Sequence, residues 1–293
     1  MTDVVAAAPA EIVPSLPARR ELPTWRLLLR RPSFLIGAMI LLFWIVCAVI
    51  GNSIAPHDPL AQNLLAINKP PSAAHWFGTD ELGRDVLSRV IVGAQTILII
   101  TPLATLLGTV LGTALGLAMG YFGGLLDTLV SRLVEAVLAL PAVIIIFLFI
   151  VALGASVTTL IIVIGFIFTP LIARTVRSAV QVERQLDYLS SSRLLGERPA
   201  RIMFVEILPN VIPTVVVEFT VRLGYAIFAV ATLAFLGFGI QVSTPNWGSD
   251  INATYGLLGA GYWWETLFPA LAIASLVIAI NLVADSIQQV AAG

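Results

Sequence analysis

The chain has 293 residues, of which 58% are hydrophobic and 11% charged, with a net charge of −1. Soluble domains average about 25% charged residues, so this composition points to a protein solvated mainly by lipid and excludes a basic nucleic-acid footprint. The lone lysine, Lys69, precedes Pro70 and Pro71 and cannot complete a Gly-Lys-Ser/Thr phosphate loop; the single Cys47 excludes an intrachain disulfide. The two histidines, His57 and His75, lie far from helical spacing, and no His-Glu-x-x-His occurs, so no metal site is expected.

In chain order, residues 1–18 are rich in Ala, Pro and Val, lack a positively charged start, and read as a tail rather than a signal peptide. Arg19, Arg20, Arg26, Arg30 and Arg31 follow. Thr24 to Arg31 reads either as a short interfacial helix or as a basic unstructured segment. Ser33 to Ile54 is the first apolar run long enough to cross about 30 Å of hydrocarbon. Five preceding arginines place the N-terminus in the cytoplasm.

Residues from about 55 to 90 form a polar outer excursion with Phe77-Gly78-Thr79-Asp80-Glu81-Leu82-Gly83-Arg84-Asp85 near its end. Thr79 or Asp80 is a candidate helix cap, and Arg84 and Asp85 a candidate local pair. Ile91 to Gly120 is the second span. Gly108, Gly112, Gly116 and Gly120 recur every fourth residue and make one smooth stripe for close helix approach. Leu125 to Leu153 is the third span, with Asp127, Arg132 and Glu135 at its inner end as candidate pairs and Pro141 as a kink. Val157 to Ala173 is the fourth span; Arg174 and Arg177 mark the inner surface.

The segment from about 178 to 209 is too polar for lipid, with Arg184, Asp187, Arg193, Glu197, Arg198, Arg201 and Glu206. Its pattern predicts two short helices joined at Gly196, which ends the first by taking positive φ, with Pro199 in the first turn of the second. Pro209 returns the chain to the membrane. The stretch reads either as an amphipathic connector or as a docking surface for a soluble partner.

Asn210 to about Ile240 is the fifth span. Glu218 and Arg222 share a helix face, as an intramembrane ion pair or as side chains reaching the inner interface. Gln241 to Glu265 lacks Lys and Arg and reads as an outer loop with interfacial tryptophans. Thr266 to about Val283 is the sixth span, and Asp285 falls in the inner tail. The basic residues cluster around the 178–209 loop, which supports the orientation.

Four separated motifs carry a family resemblance. Phe77 to Asp85 resembles the segment before the second span in the C-type permease subunits of dipeptide and oligopeptide ABC importers. Gly196, Leu208 and Pro209 match the EAA loop of ABC importer permeases in spacing, although Ser190, Ser191 and Ser192 stand where that family has Glu-Ala-Ala. The Phe-Leu-Gly-x-Gly and Thr-Pro-x-Trp-Gly pair, and Trp263-Trp264-x-x-Leu-Phe-Pro, complete the set.

The resemblance implies an all-α integral membrane fold: a six-helix type I ABC importer permease with a cytoplasmic coupling-helix loop between helices 4 and 5. Residues 1–32 would be a cytoplasmic tail and interfacial helix, and 33–293 one permease domain. The implied coupling residues are Asp187, Tyr188, Ser190, Ser191, Ser192, Arg193, Gly196, Leu208 and Pro209. The outer motif is Gly78, Thr79, Asp80, Gly83, Arg84 and Asp85.

The implied partners are a second homologous permease subunit, two ATPase subunits or one fused ATPase, and an extracytoplasmic substrate-binding protein. The chain would sit in the lipid bilayer of a bacterial plasma (inner) membrane with both termini cytoplasmic. ATP and magnesium would belong to the ATPases, with no cofactor or metal on this chain and no catalysis by it. The implied cargo is di- or oligopeptides, in a family whose members also carry nickel and glutathione. An ion-coupled transporter needs ionisable groups at the midplane, and a membrane enzyme needs a convergent acid, base or metal set. The spans supply neither pattern.

Overall fold

The computed structural model describes residues 24–238 and 244–291. The expected tail at 1–18, with Arg19 and Arg20, lies outside the described residues, as does Gly239 at the end of its motif. The interfacial stretch forms a helix, α1 (Thr24–Leu29), joined by Arg31 to α2 (Pro32–Ile54), with Pro32 at its first turn. The outer excursion contains only a single 3-10 turn, Leu64–Ala66, before α3 (Val86–Phe122). At 1.5 Å per residue, its 37 residues give roughly 55 Å, so α3 projects well beyond the hydrocarbon.

The third apolar segment departs from expectation. Pro141 does not kink one helix but divides two, α4 (Gly124–Leu138) and α5 (Ala142–Leu153), bent by 88°. Proline lacks the N–H needed to continue the ladder and disfavours helical geometry at Leu140 before it. The next helix, α6 (Val157–Glu183), is started by Ser156, whose Oγ accepts from the Thr159 N–H at 3.1 Å. It continues ten residues past Ala173 and takes Arg174 and Arg177 with it. Arg177 can be helical there because it reaches α4, donating to Asp127 at 2.5 and 2.7 Å. Of the two pairings open to Arg132, the one with Glu135 forms, at 2.9 Å.

Next comes α7 (Asp187–Leu194) and then a single turn, α8 (Pro199–Arg201). The expected second short helix is not a separate element. α8 passes through a π-helical segment, Ile202–Ile207, directly into α9 (Leu208–Phe235), making one rod from Pro199 to Phe235. A π segment holds an extra residue in the turn, which lets Pro209 follow without breaking the rod. The chain then returns to the end of the bundle that holds residues 55–89, with α10 (Trp247–Thr254) and a 3-10 segment, Tyr255–Ala260. The last helix, α11 (Trp263–Ala291), includes Asp285, which had been assigned to a tail.

Among the described residues, five helices are long and apolar enough to cross a membrane, six with the bent α4–α5 pair as one. Among the described residues there is no β-strand, only an isolated bridge between Thr79 and Asp85. The most extensive pairing is α3 with α6, and the glycine stripe makes it. A Cβ on Gly108 would sit 2.9 Å from the Gly165 carbonyl, on Gly112 2.8 Å from Thr169, on Gly116 2.7 Å from Ala173, and on Gly120 2.6 Å from Val180. The two helices are therefore in close contact over roughly three turns.

Gly112→Leu is expected to cost about 1–3 kcal/mol through overpacking and to lower the amount of folded protein recovered from membranes. Gly256→Leu, which meets open space, serves as the control; equal thermal stability of the two variants in detergent would contradict this packing.

Helix α2 packs on α11, where Gly37 meets the Ala279 carbonyl and Trp44 donates from Nε1 to Ser275 Oγ at 2.9 Å. Trp247 is wholly buried and donates from Nε1 to the Val90 carbonyl at 2.8 Å. It was expected at an interface, but it is a core residue, edge-on to Trp44 at 4.7 Å.

Candidate functional site

Two polar constellations stand at opposite ends of the bundle. The outer one is built on residues 78–89. Gly83 has φ +70°, and a Cβ there would lie 1.9 Å from the Asn63 carbonyl; only glycine fits this turn. The turn folds the chain back so that Asp80 Oδ1 accepts from the Leu82 and Arg84 N–H groups, both at 2.9 Å. Asp80 Oδ2 takes the Arg84 Nε–H at 2.7 Å. The expected Arg84–Asp85 pair does not form, since neighbours in extended backbone point to opposite faces. Asp85 instead caps α3: its Oδ2 accepts from Ser88 N–H at 2.8 Å and Ser88 Oγ at 2.7 Å. The cap is therefore Asp85, not Thr79 or Asp80.

Thr79 is buried, donating to the Ala66 carbonyl at 2.5 Å and accepting from the Lys69 N–H at 2.9 Å. Its carbonyl receives Trp264 Nε1–H from α11 at 3.1 Å, and the Phe77 ring stacks on Phe268 at 3.8 Å. Arg89, unremarked as a site in the sequence, ties the motif to α10. Its Nη2 lies 2.5 Å from Asp250 Oδ1 and its Nη1 donates to the Pro59 carbonyl at 3.2 Å. Asp80, Arg84, Arg89, Asp250 and Glu265 line one small cavity. Burial pushes the Asp250 carboxyl above the ordinary range, and the Arg89 guanidinium pulls it back. Such a network fixes the outer loop rigidly on α10 and α11.

The inner constellation is the loop after α6. Leu189, Ile202 and Ile207 are buried and seat α7 and the π segment on the bundle. Arg193 lies over the Tyr121 ring, 5.3 Å from its centroid, fastening α7 to the end of α3. Tyr188 donates to Glu183, and Asn210 Nδ2 donates to Glu183 and to the Tyr188 oxygen, both at 2.8 Å. Burial, followed by the hydrogen bond to Glu183, raises the Tyr188 phenol above its ordinary value. Gly196 has φ +76°, and nothing lies within 4 Å of where a Cβ would stand; its backbone conformation, not space, calls for glycine. Leu194 and Leu195 are 89% and 81% exposed, with Ser190, Ser191 and Pro209 also on the surface. Leu194 and Leu195 are the most exposed of the loop's apolar side chains, with Leu186, Phe204 and Val205 exposed to a lesser degree, and bare apolar surface of this kind marks a place of contact.

Between these ends, Glu218 and Arg222 pair, with Glu218 Oε2 accepting from Arg222 Nη2 at 3.0 Å and Nε at 3.1 Å. Thr175 Oγ1 donates to the other Glu218 oxygen at 3.0 Å, and Arg222 lies over the Tyr225 ring. Both side chains are half-buried and mutually satisfied, a link between α6 and α9.

Comparison with known proteins agrees with this architecture. Residues 112–292 match the family described as binding-protein-dependent transport system inner membrane component, and residues 23–71 match the N-terminal TM domain of oligopeptide transport permease C. The dipeptide transport system permease protein DppC of Bacillus subtilis (strain 168) is 36% identical over 264 residues, covering 90% of this chain and 82% of that protein. The glutathione transport system permease protein GsiD of Escherichia coli O1:K1 / APEC is 37% identical over 268 residues, covering 90% and 87%. The MetNI methionine ABC transporter, in an inward-facing structure, superposes with a TM-score of 0.57 at 22% identity over 69% of this chain and 96% of that one, a likeness of fold. The chain belongs to the family of binding-protein-dependent transport system inner membrane components. It is a multi-pass membrane permease subunit of an ABC importer with the type I fold.

Proposed function

We propose that the chain forms half of the translocation path for short peptides, paired with a second, similar permease. It is loaded by an extracytoplasmic substrate-binding protein and driven by separate ATPase subunits seated on the α7 loop. The observation that carries this reading is the exposed Leu194–Leu195 tip beyond the well-seated Leu189, in a chain whose relatives are a dipeptide and a glutathione permease. Glutathione is itself a small peptide, so the two names share an amide-linked cargo. The chain contributes no catalysis; Lys69, its lone lysine, lies in the outer loop, remote from any phosphate-binding turn. ATP closure of the ATPases draws the two α7 loops together. The helices, rigid along the α3–α6 glycine seam, rotate as bodies to open the outer side, and release of the hydrolysis products reverses the motion.

Deleting the gene is expected to abolish uptake of labelled di- or tripeptides supplied at low concentration, and a plasmid copy to restore it. Undiminished uptake of every such peptide would refute the assigned cargo.

The orientation of this reading has both termini and the α7 loop in the cytoplasm, from the arginines around residues 19–31 and 174–201. In intact cells, Glu81→Cys is expected to react with a membrane-impermeant maleimide and Ser191→Cys to react only after permeabilisation; both positions are exposed. The opposite pattern would invert the topology.

A further inference from the structure

The chain has two histidines, eighteen positions apart, and the outer loop brings both against the same carboxylate. His75 Nδ1 lies 2.8 Å and His57 Nδ1 3.6 Å from Asp85 Oδ1. The imidazole centroids are 4.7 Å apart with planes inclined by 36°, and the donor atoms of all three residues lie within 4.8 Å of one another. We propose that His57, His75 and Asp85 form an extracytoplasmic site for one first-row divalent transition metal ion, zinc by preference, that staples the outer loop to the start of α3.

The chemistry of the donors selects this class. Two imidazoles and one carboxylate suit zinc and its neighbours, whereas calcium and magnesium require oxygen ligands. Zinc–nitrogen bonds of about 2.0–2.1 Å in tetrahedral geometry place ligand atoms about 3.3 Å apart, and the two observed separations from Asp85 Oδ1 bracket that value. Asp85 Oδ1 lies within hydrogen-bond distance of His75 but not of His57, since 3.6 Å is beyond a hydrogen bond; a cation between the three atoms engages all of them.

The surroundings are also those of a metal site. Asp85 is buried, while His57 keeps 44% of its side-chain surface exposed, leaving an entry and a fourth position for water. The second carboxylate oxygen is held by the Ser88 N–H and hydroxyl, and Ser88 Oγ in turn accepts the His57 backbone N–H at 3.0 Å. This outer support orients the ligand in the way that fixes affinity at established sites. The nearby cations are committed elsewhere, Arg84 to Asp80 and Arg89 to Asp250, and neither pairs with Asp85. Sequence spacing concealed the site because no helix or hairpin relates residues 57 and 75; only the folded loop does.

The test is zinc titration of the purified full-length chain in detergent, free of any polyhistidine tag, by calorimetry, with X-ray absorption at the zinc edge. The expected result is one zinc per chain bound by two imidazoles and an oxygen. Binding is expected to be lost in His57→Ala and His75→Ala and weakened about tenfold or more in Ser88→Ala. His57 is half open to solvent, so His57→Ala is expected to keep the wild-type gel-filtration profile, and it decides the matter if His75→Ala misfolds. No saturable zinc binding by the wild-type chain, or binding unchanged in a folded His57→Ala, would overturn the proposal.

Discussion

Replacing Leu194 and Leu195 together by aspartate is expected to leave the subunit folded in the membrane but unable to retain its ATPase or to support uptake. Both side chains stand almost wholly in solvent, so the double variant disturbs no internal packing. In a docked complex, two carboxylates would replace apolar anchors at a contact. Loss of a well-packed interface anchor costs at least about 2 kcal/mol, and each 1.4 kcal/mol is tenfold in affinity, so association should weaken by about thirtyfold or more. Gly196→Val approaches the same surface through the backbone. No atom lies near its missing Cβ, so the expected defect is strain of about 1–3 kcal/mol at positive φ. That matches the size of an allosteric coupling energy. Co-purification of the ATPase and peptide uptake would be measured beside subunit abundance. If both variants keep normal ATPase recovery and uptake, the α7 loop is a passive connector and the proposed coupling fails.

The serine triplet is consistent with this division of labour. Ser190 and Ser191 are exposed on α7 while Leu189 alone is buried. The seat of the helix is therefore apolar, and the proposed docking surface carries small hydroxyls and two leucines. Arg193 is engaged with the Tyr121 ring, which fixes the position of α7 relative to the end of α3.

The parts of this molecule legible in sequence are those governed by local periodicity. The Gly108–Gly120 stripe announces a close helix contact because its spacing is helical, but nothing in it names α6, whose contacting residues Gly165 to Val180 lie far along the chain. Pro141 announces a disruption; the right-angle bend between α4 and α5 depends on how each half packs. Gly196 was readable as a turn because helix termination is local. Trp247 was misplaced because tryptophan near an apolar boundary resembles an interfacial anchor, and only the tertiary fold supplies the Val90 carbonyl that takes its N–H. The same limit hid the length of α6, whose extension rests on the Arg177–Asp127 pair, and the role of Arg89, whose partner is 161 residues distant.

Arg89 is the position where a single change is expected to cost the outer end most. It is buried, and removing one member of a buried ion pair costs about 3–5 kcal/mol because the other charge is left unpaired. Arg89→Leu strands Asp250, whose carboxyl burial already pushes above the ordinary range and the Arg89 guanidinium draws back down. Asp250→Leu leaves Arg89 in the same cavity with only the more distant Asp80 carboxylate, at 4.0 Å, as a counter-charge. Either variant should loosen α10 from the loop and expose residues 55–85 to protease added outside the cell, with uptake falling in parallel. Arg89→Leu combined with Asp250→Leu removes both charges and leaves apolar volume, an exchange that is often neutral, so the double variant should regain most of the resistance lost by either single one.

The pH response gives an independent reading. With Arg89 gone, the folded-state pKa of Asp250 rises further above its unfolded value, so the native state binds the extra proton. Stability then falls as pH rises. The Arg89→Leu defect should therefore be milder in acidic medium than in alkaline medium. Proteolysis of right-side-out vesicles across that range would decide the point: wild-type resistance in both single variants, or a double variant no better than either, would mean that Arg89 and Asp250 do not hold the outer loop.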